Sequence, residues 1–187
     1  TLGPTHQKIA QNLSNLAVIY GSLAQFDKAV ELYQRALAIS ELNLGLDHMD
    51  VATVMSNLAA TYDSLAQFDK AVELYQQALA ISERVSGPTH PNTANHLNDL
   101  AVTFTQLGQW EKALELYRRA LQILEKSRGR EHLDIANVTS NMALIYRVSG
   151  QYEQAIENGQ RALAILEGVF GPEHPNMART LNVLASI

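Results

Sequence analysis

Apolar and polar residues follow one another along the chain with the 3.6-residue period of helices that bury one face. Near the amino end, two such runs are separated only by Ala24 and Gln25. The apolar positions within each run lie three or four residues apart, and neither run alternates as a half-buried strand would. The runs are Ile9, Leu13, Leu16, Ala17, Tyr20 and Leu23, then Phe26, Ala29, Val30, Tyr33, Ala36 and Leu37. This pattern predicts two amphipathic helices joined by a short turn.

The predicted helix pair recurs along the whole chain. The segment SLAQFDKAVELYQ at Ser22–Gln34 returns unchanged at Ser64–Gln76. The same spacing separates Gly3, Gly45, Gly87, Gly129 and Gly171, and also His6, His48, His90, His132 and His174. We therefore predict four repeats, 2–43, 44–85, 86–127 and 128–169, and a half repeat, 170–187. A fixed period of this length is typical of stacked repeat architectures.

Glycine, proline and histidine mark the ends of the predicted helices. Gly108 and Gly150 take the turn position of Ala24 in later repeats, and glycine there favours a helix end that turns back sharply. Between repeats, the glycine of the sequence Gly-Pro-x-His-Pro at 87–91 and 171–175 ends one helix, and the second proline suits the first turn of the next. Helix layers lie about 8–10 Å apart, too far for histidines of different repeats to share a metal ion at about 2 Å. We expect the histidines to have a structural role at this turn.

The repeated helix pair resembles the tetratricopeptide repeat, whose pattern W-x2-L-G-x2-Y, then A-x3-F, describes a helix–turn–helix. The third repeat supplies Leu97, Leu100, Ala101 and Phe104, then Ala113 and Tyr117. The others supply Leu16, Ala17 and Tyr20; Leu58, Ala59 and Tyr62; and Met142, Ala143 and Tyr146. The period is longer than that of the usual tetratricopeptide repeat and the late proline is missing, which fits longer helices. The whole chain resembles the repeats of kinesin light chains and their bacterial relatives. The resemblance rests on the motif LGxxHxxxAxxxSNLAxxY…FxxAxxLYxxALxI.

The resemblance implies an all-α fold, a tetratricopeptide-repeat α-solenoid in which antiparallel helix pairs stack into a right-handed superhelix. It also implies a single array over residues 1–187, whose first helices line a concave groove. In this family the groove binds an extended peptide or a helix of a partner protein, so the expected function is protein–protein interaction. Because the chain starts with Thr rather than Met and stops inside a repeat, we expect it to be a fragment of a longer protein.

The family pattern also indicates which residues face the groove. An asparagine side chain offers one acceptor and two donors, and the resemblance implies that a ladder of asparagines binds the backbone of an extended peptide. The ladder here is Asn15, Asn57, Asp99 and Asn141, in which Asp99 departs by offering only acceptors and a negative charge. The expected peptide-binding residues are Asn15, Asn57, Asp99, Asn141, Ser56, Asn98, Asn95, Asn137 and Arg147. Gln11, Ser14, Thr53 and Asp63 occupy further positions along the same predicted groove.

Several alternatives stay open at this point. An asparagine between packed helices can bond the neighbouring helix instead of a peptide. The chain could also be a structural spacer or self-assembling scaffold, or a regulatory array attached to a catalytic or signalling domain outside this sequence. Head-to-tail self-stacking follows if apolar residues of the half repeat, such as Leu181 and Leu184, stay uncovered. A clamp for carboxylate chain ends needs several cations, whereas only Arg147 and Arg179 are basic at the groove positions, so this form is not expected.

Composition narrows the expected partners. With 14 Lys and Arg against 19 Asp and Glu, the net charge is −5, which argues against nucleic acid as a partner. The absence of cysteine excludes disulfides and thiolate metal sites. No apolar run approaches the roughly 18 to 20 residues of a membrane span, and no signal peptide is found. We therefore expect no membrane partner and a cytoplasmic location.

The chain shows no pattern of an enzyme. It lacks glycine-rich phosphate loops and the sequence Gly-x-Ser-x-Gly, so we expect no cofactor and no catalytic residue. The carboxylates Glu31, Glu73 and Glu115 recur once per repeat, whereas a catalytic constellation is normally unique. We expect these carboxylates to lie on a solvent-exposed face of the second helix of each repeat.

One departure from the repeat is not explained by the period. Gly159 stands where Tyr33, Tyr75 and Tyr117 recur, and Asn158 precedes it in place of leucine. Glycine inside a helix costs about 1 kcal/mol relative to alanine, and losing a large apolar side chain adds a cavity term. We expect either compensation by a neighbouring residue or a recess that makes residues 152–166 easier to open than residues 26–40.

Overall fold

The computed structural model describes residues 6–171 and 177–186, apart from the side chain of Arg179. Within these ranges the chain forms nine helices and no strand. The helices are α1 (Gln7–Ser22), α2 (Phe26–Leu44), α3 (Met49–Ser64), α4 (Phe68–Val85), α5 (Pro91–Gln106), α6 (Trp110–Arg128), α7 (Leu133–Val148), α8 (Tyr152–Phe170) and α9 (Ala178–Ala185). The two predicted helices of each repeat are present in α1 to α8.

Helix starts recur with the spacing of the sequence repeat. The first helices of the repeats, here called A helices, are α1, α3, α5 and α7; the second, called B helices, are α2, α4, α6 and α8. Each B helix buries small residues on both sides of the recurring tyrosine position, as in Ala29, Tyr33 and Ala36 of α2. The alanines allow a neighbouring helix to approach closely while the tyrosine ring fills the wider gap. This spacing of four and three residues lies on one helix face.

A histidine caps the start of each A helix from α1 to α7. The four imidazole Nδ1 atoms each accept a hydrogen bond from the backbone N–H two residues later, at 3.1 to 3.2 Å; they belong to His6, His48, His90 and His132. That N–H is among the four at a helix start that have no intrahelical acceptor, so the ring nitrogen replaces the usual capping oxygen. The predicted structural role is confirmed for these four histidines, whereas His174 lies outside the described residues.

The turn from an A helix to its B helix requires one residue in the left-handed region. The residues in this conformation are Ala24 (φ 56°), Ala66 (φ 55°), Gly108 (φ 70°) and Gly150 (φ 76°). In the first repeat, the N–H that follows, from Gln25, donates to the carbonyl of Tyr20 at 2.9 Å. This bond closes the helix end, and the sharp reversal brings the B helix back along the A helix.

The chain divides into two compact units, Thr1–Thr103 and Phe104–Ile187, called unit 1 and unit 2, with the boundary inside α5. In unit 1, α1 packs on α2, α2 on α3 and α3 on α4. Residues of α3 and α4 form a buried core against which Leu37 of α2 and Leu74 of α4 pack; the core residues are Val51, Ala52, Met55, Ala78 and Ile81. The A helix α3 is therefore held between two B helices.

In unit 2, α7 packs on α6 and α8, and α9 packs on α7 and α8. The Arg118 guanidinium of α6 donates to the Tyr146 hydroxyl of α7 at 3.0 Å. The recess expected at Gly159 is occupied, because Leu184 of α9 lies against the glycine. None of the helices described is both long and apolar enough to cross a bilayer.

Candidate functional site

The A helices α1 and α3 border a polar cavity of about 260 Å³ in unit 1. This space equals roughly eight or nine waters at ~30 Å³ each, which suits one side chain of a ligand. Its floor consists of buried Ala10, Ser40 and Val54. Its walls are Gln7, Gln11, Ser14 and Asn15 of α1, and Asp50, Thr53 and Asn57 of α3. We call this space the polar cavity and the surface between the two helices the α1–α3 groove.

Ser14, in the wall of the polar cavity, has a buried hydroxyl with no hydrogen-bond partner. The equivalent serine of the second repeat, Ser56, has its hydroxyl oxygen 3.0 Å from Nδ1 of His96 on the next A helix. Val54 holds the repeat position of His96, so it is the residue that Ser14 faces in the first repeat. Its side chain offers neither a hydrogen-bond donor nor an acceptor. A buried polar group without a partner costs about 1–3 kcal/mol. The hydroxyl is therefore an unpaired polar group in the wall of the polar cavity.

A second cavity, of about 230 Å³, adjoins the α1–α3 groove towards the carboxyl ends of the two helices. It is lined mainly by apolar and small residues, and we call it the apolar cavity. The lining residues are Ala17, Val18, Gly21, Phe26, Tyr33, Asn57, Ala60, Thr61 and Ser64. Asn57 lines both cavities, so one amide side chain stands between a polar and an apolar recess.

Two of the predicted site residues, Asn15 and Asn57, lie together in this groove. Asn57 is half-buried and Asn15 is exposed. Neither side chain makes a hydrogen bond to another described residue. The alternative in which such an asparagine bonds a neighbouring helix therefore has no support at these two positions, and both amides are free to bind a ligand.

The other predicted residues of unit 1 lie outside the two cavities. The Ser56 hydroxyl contacts His96, as the helix-contact alternative proposed. The Asn98 amide donates weakly to Asp99 Oδ1 at 3.4 Å, while its own Oδ1 is buried without a partner. Asn95 is exposed on α5. No contact described for these residues places them in a common pocket with Asn57.

Two neighbouring carboxylates of unit 1, on α3 and α5, carry shifted pKa values. Burial raises the pKa of Asp99 to about 6; the hydrogen bond from Asn98 opposes this shift and the charge of Asp63 adds to it. Burial also raises the pKa of Asp63, while the Thr103 hydroxyl, which donates to Oδ2 at 2.8 Å, lowers it. Burial and both carboxylates raise the pKa of the Tyr75 phenol. The A helices of unit 1 thus carry negative charge beside unpaired acceptor oxygens.

In unit 2 the predicted residues lie on α7. Asn137 is exposed, whereas Asn141 and Arg147 are half-buried. The Nε atom of Arg147 is buried without a hydrogen-bond partner. On the same helix, Ser140 is buried with its hydroxyl oxygen 2.7 Å from the Thr180 hydroxyl oxygen of α9, so this serine serves a contact between helices.

Sequence reasoning missed three residues that shape the polar cavity: Gln7, Ser40 and Asp50. Gln7 and Asp50 continue the groove face one turn towards the start of each A helix, at the spacing that relates Asp50 to Thr53 and Asn57. Helical spacing could have found these two. Ser40 belongs to the B helix α2, and only packing between helices brings it to the cavity floor.

The family model of the tetratricopeptide repeat matches residues 8–84, 50–126 and 134–187. The chain belongs to the tetratricopeptide repeat family. The predicted all-α solenoid class and the resemblance to kinesin light chain repeats are both confirmed. No curated protein matches this tetratricopeptide chain by sequence.

Several solved structures are similar to this chain. BtubC (BKLC) from P. vanneervenii is 29% identical with a TM-score of 0.79, over 89% of this chain and 66% of BtubC. Nearly identical TPR-like repeats assigned to a kinesin light chain of Podosopora anserina are 28% identical with a TM-score of 0.81, over 96% of this chain and 85% of theirs. MamA shares the fold alone, with 16% identity and a TM-score of 0.63 over 86% of this chain and 80% of MamA.

Proposed function

We propose that this tetratricopeptide chain is a protein-interaction module that binds an extended peptide of a partner protein in the α1–α3 groove. The observation that carries the proposal is the position of Asn57, whose unbonded amide lies between the polar and the apolar cavity. An amide can accept from a backbone N–H and donate to a backbone carbonyl. Backbone pairing of this kind holds a peptide whatever its sequence, and the two cavities receive its side chains.

The other predicted residues are proposed as further peptide contacts on the A helices of their own unit. Asn15 contributes a second free amide in unit 1, while Asp99, Asn95 and Asn98 are proposed contacts on α5. In unit 2, Asn137, Asn141 and Arg147 are the proposed contacts on α7. We also infer that the chain is not an enzyme, since its polar groove residues recur by repeat and the tetratricopeptide family is typically non-catalytic.

A random peptide library displayed on phage tests the proposal directly. The native chain should enrich a shared sequence motif, and the Asn15→Ala/Asn57→Ala variant should not. Asn12→Ala is the matched control, because Asn12 is an exposed asparagine of the same helix that lines neither cavity. Circular dichroism should show the same helix content for all three proteins. Equal enrichment by the double variant, or no enrichment by the native chain, would contradict peptide binding in this groove.

Self-association is a second candidate function, favoured by the apolar face of α1. Leu16 and Ile19 are 41% and 54% exposed, whereas their equivalents on α3, Leu58 and Thr61, are 3% and 7% exposed. A second copy that covers this face of α1 would bury it as α3 is buried within unit 1. Light scattering should then give a mass above 20.6 kDa, which Ile19→Lys should reduce. A native chain that stays monomeric at high concentration would exclude this candidate.

A further inference from the structure

The polar cavity is lined by one carboxylate, that of Asp50, whereas no charged group is found among the described residues that line the apolar cavity. We propose that the ligand places a lysine or arginine side chain in the polar cavity and an apolar side chain in the apolar cavity, about three residues apart. This inference rests on the proposed function and names the class of peptide that the groove would select.

The polar cavity combines neutral amides and hydroxyls with one carboxylate. Asp50 contributes the only charged group among its described lining residues. Gln7 Oε1 and the Ser14 hydroxyl are buried there without hydrogen-bond partners. An ammonium or guanidinium group brings three or five N–H donors and no acceptor, which matches the exposed Asp50 carboxylate. A ligand carboxylate would instead be repelled by the Asp50 carboxylate, so the cavity disfavours acidic side chains.

The charge of Asp50 is not neutralised by its neighbour His48. Nδ1 of His48 accepts the backbone N–H of Asp50 at 3.1 Å, so this nitrogen carries no proton while it caps α3. The carboxylate lies 3.9 Å from the same nitrogen, and no other partner of the carboxylate is found among the described residues. The carboxylate is therefore free to pair with a cation from the ligand.

The surrounding A helices of unit 1 strengthen this preference. The charged residues of α3 are Asp50 and Asp63, and the part of α5 in unit 1 adds Asp99, with no lysine or arginine on either. Lys8 of α1 is exposed and lines neither cavity. Lys28 and Lys70 of the B helices lie over the rings of Tyr20 and Tyr62 and line neither cavity. Among the described lining residues the only charge is that of Asp50, which attracts a ligand of the opposite sign. The groove of unit 1 thus favours a basic peptide.

The apolar cavity requires a different side chain. Ala17 and Tyr33 are buried at its base, while Val18 and Ala60 are exposed at its edge. Among the described lining residues there is no charged group. A leucine, isoleucine, methionine or phenylalanine of the ligand would therefore lose water-exposed apolar surface there, which favours binding.

Helix geometry gives the distance between the two side chains. On α3 the polar cavity is lined by residues 50 to 57 and the apolar cavity by residues 57 to 64. Their centres lie about seven residues apart, or ~10 Å at 1.5 Å per residue. In this proposal the peptide lies parallel to α3, and in extended or polyproline conformation it advances ~3.1–3.4 Å per residue. About three residues therefore separate the basic from the apolar side chain, with the backbone passing Asn57 between them.

Phage display of random dodecapeptides, followed by fluorescence anisotropy of the best enriched synthetic peptide, tests this pattern. Enriched sequences should contain Lys or Arg about three residues from an apolar residue. Asp50→Asn should weaken the affinity for that peptide about two- to fivefold at low salt and less at high salt. Asp27→Asn, which removes an exposed carboxylate of α2 that lines neither cavity, should leave the affinity unchanged. Ala60→Leu should fill the apolar cavity and weaken binding about tenfold.

The outcomes separate this inference from the proposed function. Enriched peptides that need Asn57 but lack the basic residue, or that carry acidic residues instead, would overturn the inference and leave groove binding standing. An affinity equally insensitive to Asp50→Asn and Ala60→Leu would also overturn it. If the native chain enriches no motif, groove binding and the inference fail together. Helix content of each variant, measured by circular dichroism, shows that the groove is still folded.

Discussion

Leu184 of α9 occupies the place that a side chain at Gly159 of α8 would need. A Cβ built on Gly159 would lie 2.7 Å from Leu184 Cδ2 and 3.0 Å from Leu184 Cγ. Such distances lie well inside ordinary van der Waals contact. The tyrosine of the other repeats is thus replaced by a leucine from the following helix. Of the two expectations for this position, compensation by a neighbouring residue is the one that the packing shows.

Gly159→Ala should therefore not give the gain in stability that alanine usually gives over glycine inside a helix. In an open position, glycine to alanine stabilises a helix by up to about 1 kcal/mol. Gly168, in the same helix, has no atom within 4 Å of an added Cβ, so Gly168→Ala should show this gain. Gly159→Ala should instead cost about 1–3 kcal/mol, because it overpacks the contact with Leu184. Urea denaturation of both variants measures the difference.

A double-mutant cycle assigns the effect to the leucine. In a Leu184→Ala background the clash is removed, so Gly159→Ala should become neutral or stabilising, with a coupling energy of about 1 kcal/mol or more. An equal effect of Gly159→Ala in both backgrounds would contradict this explanation. Hydrogen exchange completes the test: because Leu184 fills the recess, amides of residues 152–166 should be protected as well as those of residues 26–40.

Ala66→Gly should stabilise the chain. Ala66 has φ 55° at a turn where the later repeats carry glycine, and an L-residue in this region costs about 1–2 kcal/mol. Part of the gain is offset because glycine gives the unfolded chain more freedom, so we expect a net gain of about 0.5–1 kcal/mol. Ala38→Gly, an exposed position inside α2, should destabilise by about 1 kcal/mol. Thermal unfolding measures both variants. If Ala66→Gly and Ala38→Gly shift the unfolding midpoint in the same direction, the argument is refuted.

Asp99→Asn, which restores the asparagine ladder, should stabilise the chain at pH 7. Because burial raises the pKa of Asp99 to about 6, the folded chain binds this proton more tightly than the unfolded chain. Proton binding by Asp99 therefore stabilises the folded chain. This contribution is fully present below the unfolded pKa near 4 and is lost as the pH rises through 6. The free energy of unfolding of the variant should exceed that of the native chain by on the order of 1 kcal/mol at pH 7. The full pKa shift corresponds to roughly 3 kcal/mol, which is an upper limit.

The advantage of Asp99→Asn should become small near pH 4, where the native carboxyl is protonated in the folded chain and about half protonated in the unfolded chain. Thermal unfolding of variant and native chain between pH 4 and pH 7 measures it. Glu31→Gln, at an exposed carboxylate inside α2, is the control for a carboxylate that is not buried. A difference for Asp99→Asn that does not change with pH would show that the carboxyl does not titrate in this range.

His96→Val should remove a loss of stability on acidification. His96 is 7% exposed beside Ser56, and burial lowers its pKa below the usual 6.5. The folded chain therefore resists the proton that the unfolded chain takes up, so stability falls as the pH drops below 6.5, by at most ~1.4 kcal/mol per pH unit. Valine occupies the equivalent positions 54 and 138. Between pH 7 and pH 5 the variant should lose less stability than the native chain, as measured by urea denaturation.

Much of the fold follows from local features of the sequence. The helix pairs, their regular recurrence and the turn glycines could be predicted because each depends on residues close together in the chain. The capping histidines belong to the same class, since His48 bonds an N–H only two residues away. The candidate site was predicted in part: Asn15 and Asn57 share a groove, whereas Gln7, Ser40 and the apolar cavity were missed.

The contacts between repeats, by contrast, depend on how the helices pack and could not be predicted. Ser14 and Ser56 occupy the same repeat position, yet one hydroxyl is unpaired and the other bonds, because residue 54 is a valine and residue 96 a histidine. Likewise, a leucine of the following helix fills the space left at Gly159. Periodicity tells which face a residue occupies, but the partner comes from another helix that is distant in the sequence. Hydrogen bonding and close packing act at contact distance, so the free groups that can bind a ligand emerge only when the helices are stacked.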